Sequence, residues 1–439
     1  MHQSTLVKLS SAFAIPLPAL YMRLAGVELS PSYAAIVYGV AVIGAAVILA
    51  WAAETAQLDI SGSLAIALLA LIAVLPEYAV DLYFAYTAGH EPEYIQYAAA
   101  NMTGSNRLLI GLGWPLVGLV AALGIRRLRR RRGRDADSSG DVKSPDPLSK
   151  GQVIALLSRR RIELFFLAVA SIYAFVIPLT GRIGLVSAGV LLALYALYIW
   201  RVAREARSEP ELAGVCASIG SLTCGRRRMA VAGMFVAAAA FVLVSAEPFA
   251  NALVATGSQL GIDEFLLVQW LAPLCSESPE LIVACLLAYR MKGDDAMGTL
   301  LSSKVNQWTL LVGTLPIAFM LGGGGAGGLV LDARQTEEFL LTAAQTVLGL
   351  AVLANLRFGT REALALFALF ALQFVFPQTS IRIGFSIAYM ALALSILILQ
   401  RRSLWPIIRY VFTSGKAAPR GVELERQGNK EADDAVSGV

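Results

Sequence analysis

Residues 72–83 read IAVLPEYAVDLY and residues 275–286 read CSESPELIVACL. In each stretch a carboxylate follows a proline in the middle of a long apolar segment: Glu77 after Pro76, and Glu280 after Pro279. Proline has no N–H to donate and disturbs the helix that contains it. A carboxylate at mid-membrane depth costs at least about 2.5 kcal/mol unless it is paired, protonated or hydrated. The surroundings repeat as well. Ala56 to Ser61 (AQLDIS) resembles Ser258 to Asp263 (SQLGID), 202 residues later. Each Pro-Glu is followed by a second apolar span with a polar interruption, Asn101 to Asn106 (NMTGSN) in one half and Ser302 to Gln307 (SSKVNQ) in the other.

The whole composition agrees with a membrane reading. Of 439 residues, 57% are apolar and 15% charged, and the mean hydropathy is +0.66. Ordinary soluble domains carry about 45–50% and about 25%. A span needs about 20 mostly apolar residues. Eleven stretches qualify, at 33–57, 62–88, 94–124, 162–179, 183–203, 229–257, 263–290, 295–321, 338–356, 361–377 and 381–400, numbered here spans 1 to 11. Leu9 to Leu24 is apolar but short and is interrupted by Pro16, Pro18 and Arg23, so it reads as a tilted twelfth span, an interfacial helix or, less readily because no convincing small-residue cleavage site follows, a signal h-region. The expected fold is therefore an all-α polytopic membrane protein of about 11 or 12 transmembrane helices.

A net charge of +5 does not point to nucleic acid, because the basic residues sit in short runs between apolar blocks. RRLRRRRGR at 126–134, RRR at 159–161 and at 226–228, and Arg290, Lys292, Arg357, Arg361, Arg401 and Arg402 all fall on one side of an eleven-span arrangement. The positive-inside rule makes that side the cytoplasm and places the C-terminus there. Glu91, Glu93, Asp263, Glu264 and the glycine run 322–328, read as a flexible loop, lie on the other side. The resulting division is a short apolar segment (1–27), a first half with repeat 1 (28–125) and a basic, disordered cytoplasmic loop (126–160). Spans 4 and 5 (161–204), a loop (205–228), a second half with repeat 2 (229–321), spans 9 to 11 (322–402) and a cytoplasmic tail (403–439) follow. Span 2 then runs outward and span 7 inward, so the two repeats are inverted. Inverted repeats with broken helices paired at the midplane are a device of secondary transporters. The likeness between the segments after Arg161 and after Arg361 is set aside, since both run outward; inversion pairs span 4 with span 9.

The same desolvation cost that singles out Glu77 and Glu280 applies to Glu277, one turn before Glu280, and to Asp81, one turn after Glu77. A backbone opened at the prolines and at the small residues 103–105 and 302–303 would free carbonyl oxygens. Asn101, Asn106, Asn306, Gln307, Ser105, Ser276 and Ser303 add side-chain oxygens. Hard cations such as Ca²⁺ take six to eight oxygens, with carboxylates supplying the charge. With two histidines, and with Cys275 the one soft ligand in these motifs, a copper or zinc site does not fit. No resident cofactor is expected. Glu54 and Glu247, near the ends of spans 1 and 6, read as helix-end carboxylates or as pathway residues.

The two repeats resemble the α-repeats of the calcium/cation antiporter superfamily, the sodium/calcium exchanger group. That repeat reads roughly as a GTSxPE helix followed by a GNxxGSNxxN helix. Pro76-Glu77 and Pro279-Glu280 match the PE, and NMTGSN matches the GN and GSN elements. The resemblance implies a Na⁺- or H⁺-coupled Ca²⁺ exchanger of a prokaryotic inner membrane, with Glu77 and Glu280 at the centre. Its partners would be inorganic cations and the lipid bilayer.

Several positions depart from the family pattern. Ala73-Val74 stand where Thr-Ser is expected, and Ser276-Glu277 bring an extra carboxylate. Lys304 puts an ammonium where the family has an amide, and Gln307 takes the place of the final Asn or Asp. In repeat 1 that final position is Leu109 or falls close to Asn106, depending on which glycines are aligned. The expected cation ligands are Glu77, Glu280, Glu277, Asn101, Ser105, Asn106, Ser276, Ser303, Gln307 and Asp81. Lys304 and Arg107 are the expected counter-charges, with Lys304 meeting Glu277. Two other classes stay open: a non-transporting membrane protein with a buried Glu/Lys cluster, and an intramembrane hydrolase.

Overall fold

A computed structural model describes residues 3–56, 58–59, 75–139, 152–204, 212, 214–375 and 379–413. It is a helical bundle. The first half comprises α1 (Gln3–Ala14), α2 (Leu17–Ala25), α3 (Pro31–Ala56), α4 (Leu75–Thr87), α5 (Ile95–Leu108) and α6 (Trp114–Ser139). A strand β1 (Gln152–Ala155) leads into α7 (Arg161–Ala174), α8 (Val176–Thr180), β2 (Arg182–Ile183) and α9 (Leu185–Val202). The second half begins with α10 (Val215–Gly220) and continues through α11 (Cys224–Leu260), α12 (Glu264–Tyr289), α13 (Gly293–Asn306) and α14 (Val312–Leu321). Then come β3 (Leu329–Val330), α15 (Ala333–Leu353), β4 (Arg357–Gly359), α16 (Thr360–Val375), α17 (Thr379–Leu399) and α18 (Arg401–Thr413).

Among the described residues eight helices are long and apolar enough to cross a membrane, and a ninth if α12, bent by 55° at position 279, is one span. The eight include Thr5–Ala25, the N-terminal stretch the sequence left open. Residues 62–74 of span 2 lie outside the described residues.

Contacts at the two ends fix the directions of the helices. At one end β1 pairs antiparallel with β4, and Arg159 and Arg160 reach Asp294 at 3.0 and 2.9 Å. At the other, β2 pairs antiparallel with β3, Arg334 bonds Asp263 at 2.7 Å and Gly89 lies against Gly322. The arginine runs therefore share one end, as the charge pattern requires. Helix α4 runs away from that end and α12 toward it, so the two repeats are inverted. α7 and α15 likewise run in opposite directions, in keeping with the pairing of spans 4 and 9.

Four expectations need correction. The basic segment does not become a loop at Arg126: α6 continues to Ser139. Arginine and leucine are good helix formers, and the helix carries on through Gly133. The loop at 205–228 holds a short helix, α10, and α11 already begins at Cys224. The segment after residue 402 is helical to Thr413, with Arg201 donating to the Val411 carbonyl at 3.0 Å. Finally, the glycine run is a close crossing, not a slack loop. A Cβ on Gly322 would stand 1.8 Å from the Tyr86 carbonyl oxygen, so only glycine lets the chain pass α4 there.

Helices α3 and α11 pack along one another on small residues such as Ala41, Ala45, Ala52, Ala246 and Ala250, all buried. Beside them, α4 and α5 face α12 and α13, and this four-helix interior carries the charged groups.

Candidate cation site

Glu77 lies in the first turn of α4, one residue after Pro76, and is 3% exposed. Glu277 and Glu280 stand on either side of the bend in α12, a turn apart. Gln307, at the end of α13, lies between the two halves. Its amide nitrogen donates to Glu277 Oε1 at 2.7 Å and to Glu77 Oε2 at 3.2 Å. Glu77, Glu277 and Glu280 are close enough to act on one another electrostatically. Ser105 Oγ faces Glu77 and Ser303 Oγ faces Glu280, neither closing a hydrogen bond. The structure thus brings Glu77, Glu277, Glu280, Ser105, Ser303 and Gln307 together.

The remaining expected residues are placed differently. Asp81 accepts a 2.8 Å bond from Asn101 Nδ2, one turn along α4 from Glu77. Ser276 Oγ turns back onto its own helix, donating to the Ala272 carbonyl at 3.2 Å. Lys304 does not meet Glu277: its ammonium rests on Asn106, on the main-chain oxygen and on Oδ1 at 2.9 Å. Arg107 is not a counter-charge for the glutamates. Its guanidinium bonds Glu338 and Gln373 and lies 4.8 Å over the Trp270 ring, where Glu338 also takes Arg382. The reason is helical pitch, which turns adjacent residues on one helix about 100° apart, so Asn106 and Arg107 face different neighbours. Glu54 accepts from the Cys216 thiol at 3.2 Å and Glu247 pairs with Arg23 at 2.7 Å, so neither reaches the interior cluster.

The backbone irregularity also lies elsewhere than expected. α5 runs unbroken through 103–105 and α13 through 302–303. The winding loosens one turn later, into π turns at Leu109–Gly113 and Gln307–Leu311. Such turns are rare and are frequent at functional sites. At the first, Gln345 Nε2 reaches the Arg107 carbonyl at 3.3 Å. Gly104, expected to help open the helix, instead allows close packing: its ideal Cβ would be 1.8 Å from the Gln269 carbonyl.

A common chemistry links what is left over. Glu77 Oε1, Asp81 Oδ2, Asn101 Oδ1, Ser105 Oγ, Glu277 Oε2, Glu280 Oε2, Ser303 Oγ and Gln307 Oε1 are all buried without a hydrogen-bond partner. Every one is an oxygen. Leaving a buried acceptor unpaired costs about 1–3 kcal/mol, and a hard cation is the partner that satisfies many at once. Among the described residues no three Asp, Glu, His or Cys side chains converge closely enough to hold a metal ion by themselves, and the Gln307 amide stands between Glu77 and Glu277.

A model of the family described as sodium/calcium exchanger protein matches residues 31–203 and 230–379. The chain belongs to this family. Among solved structures, the H⁺/Ca²⁺ exchanger CAX is 40% identical, with a TM-score of 0.84 over 93% of this chain and 98% of that one. The Ca²⁺/H⁺ antiporter YfkE is 17% identical with a TM-score of 0.57, covering 88% of this chain and 100% of that one, a likeness of fold alone. No curated protein matches. This exchanger-family chain is thus a membrane cation/calcium antiporter and not an enzyme.

Sequence reasoning missed Tyr78, whose hydroxyl holds Asn306 Oδ1 at 3.1 Å, and the Glu338–Arg382 pair. Tyr78 follows directly on the quoted Pro-Glu, and its hydroxyl was the available signal. Glu338 and Arg382 stand near span ends, where charges ordinarily reach water.

Proposed function

We propose that this exchanger moves Ca²⁺ out of a prokaryotic cell across the inner membrane in exchange for H⁺, with Glu77 and Glu280 as the central ligands. Glu277, Gln307, Ser105 and Ser303 support them, while Asp81 and Asn101 line the approach. The observation that carries the reading is the cluster of unpartnered oxygens around three glutamates contributed by both inverted halves. H⁺ is favoured over Na⁺ by the 40% identity to an H⁺/Ca²⁺ exchanger. The α3–α11 pair, packed on small residues, would slide against the other helices and open the site to one side at a time.

The test is Ca²⁺ uptake by purified protein in liposomes. A pH gradient should drive uptake in Na⁺-free buffer, a protonophore should abolish it, and Glu77→Gln and Glu280→Gln should each remove it. Absence of Ca²⁺ movement under both pH and Na⁺ gradients would overturn the assignment of Ca²⁺ as the transported ion.

A further inference from the structure

Lys304 is fully buried on α13, and among the described residues nothing acidic neutralises it by contact. Its ammonium is instead seated on two oxygens of Asn106, the main-chain oxygen and Oδ1, and lies 5.7 Å from the centre of the Trp308 ring. Asn106 stands at the entry to the first π turn, where loosened winding opens carbonyls to side chains; the next one, of Arg107, takes Gln345. Broken or unwound backbone of this kind coordinates alkali cations in transporter cores. An aromatic face adds to the attraction. Asn106 and Lys304 are themselves the equivalent positions of the two halves, each three residues before its π turn, so the pseudo-symmetry pairs an amide with an ammonium.

Charge counting points the same way. The charged neighbours of Lys304 are Glu277 and Glu77, and Glu280 acts on both of them. With Asp81 set aside, since Asn101 holds it one turn further along α4, these three carboxylates, when ionised, leave with one ammonium two negative charges, which one divalent cation neutralises. Without the ammonium the remainder is three, which calls for a monovalent ion beside the divalent one.

We propose that the Lys304 ammonium is a tethered monovalent cation in the Asn106 seat that a free Na⁺ would otherwise fill, so that the site takes one divalent ion and excludes Na⁺. This rests on the Ca²⁺-exchange reading above for the divalent ion, but the seat itself can be assayed without transport.

The experiment uses the full-length protein and Na⁺ as the probe, with choline balancing ionic strength. Wild type should show no saturable binding of radiolabelled Na⁺, and its Ca²⁺ uptake should be indifferent to Na⁺. Lys304→Asn should gain saturable Na⁺ binding, and an opposed Na⁺ gradient should raise its Ca²⁺ uptake at least about tenfold. Lys304→Met, similar in length and uncharged, is the second variant and should also gain Na⁺ binding, whereas Lys304→Arg should not. Saturable Na⁺ binding by wild type, or folded Asn and Met variants that bind none, would overturn the proposal. Na⁺ binding gained by the variants while wild type moves no Ca²⁺ would discard the exchange reading and keep the tethered cation.

Discussion

The side-chain nitrogen of Gln307 donates to Glu77 at 3.2 Å, across from one inverted half to the other, while also donating to Glu277 at 2.7 Å. One donor thus steadies two carboxylates that repel each other. Hydrogen bonds to charged groups contribute about 1.5–3 kcal/mol each. Because this donor is needed most when no cation is present, it favours the unloaded site that every exchange cycle must pass through. Gln307→Leu should therefore slow turnover about tenfold, a larger effect than any rise in the Ca²⁺ concentration for half-maximal uptake from the loss of Oε1. A higher half-saturating concentration at unchanged turnover would make Gln307 chiefly a cation ligand.

Arg107 belongs to a separate buried cluster with Glu338, Gln373 and Arg382. Removing one partner of a buried ion pair costs about 3–5 kcal/mol when the other charge is left uncompensated; here Glu338 keeps Arg382, so the loss should fall toward the lower end. Arg107→Leu should lose much of its thermal stability in detergent. Arg107→Lys should not restore it, since a point charge cannot span Glu338 and Gln373 as the planar fork does. Residual folded protein should keep its Ca²⁺ dependence; a shifted dependence at normal thermal stability would place the cluster on the ion path.

The contrast between Glu77 and Arg107 shows what a linear sequence reveals here. Glu77 was legible because a proline-adjacent acid inside an apolar run is costly wherever it faces, and because its repeat supplied a matching Glu280. The inversion followed from where the arginines fall. Which side of α5 each polar residue faces was not legible. Asn106 and Arg107 are neighbours in sequence but serve different clusters, and their facing is set by the pitch of α5 against α12, α13 and α15. The π turns were equally hidden, since LIGLG at 109–113 and QWTLL at 307–311 share no residue pattern that separates them from α-helix.

Gly104 packs α5 against α12 without clearance, its ideal Cβ 1.8 Å from the Gln269 carbonyl oxygen. Backbone cannot step aside as a flexible side chain would, and overpacking costs about 1–3 kcal/mol or more. Gly104→Ala should lower the melting temperature and, by forcing the repeats apart, reduce Ca²⁺ uptake. Gly233 on α11 is the control, with nothing within 4 Å of its ideal Cβ. There alanine should leave the melting temperature unchanged or raise it, because it favours the helix by about 0.5–1 kcal/mol. Equal losses at both positions would refute the packing argument.

At the arginine-rich end, Asp59 follows α3 and binds the first turn of α11. Arg227 donates to it at 2.6 Å through Nε and at 2.7 Å through Nη2, and Arg228 donates at 3.2 Å. These bonds hold the Asp59 carboxyl well below its ordinary value of 3.8, with Arg227 the largest cause. As the pH falls, the unfolded chain takes up this proton before the folded one does. The link is therefore fully present above the ordinary aspartate value and is lost progressively below it. Asp59→Asn should lower the melting temperature in detergent at pH 7, and its deficit relative to wild type should shrink as the buffer is taken below about pH 4. The link also ties α3 to α11, the two helices expected to move together, so the variant should lose transport rate at neutral pH. A melting-temperature deficit that is the same at pH 7 and pH 3 would mean the carboxylate charge is not what joins them.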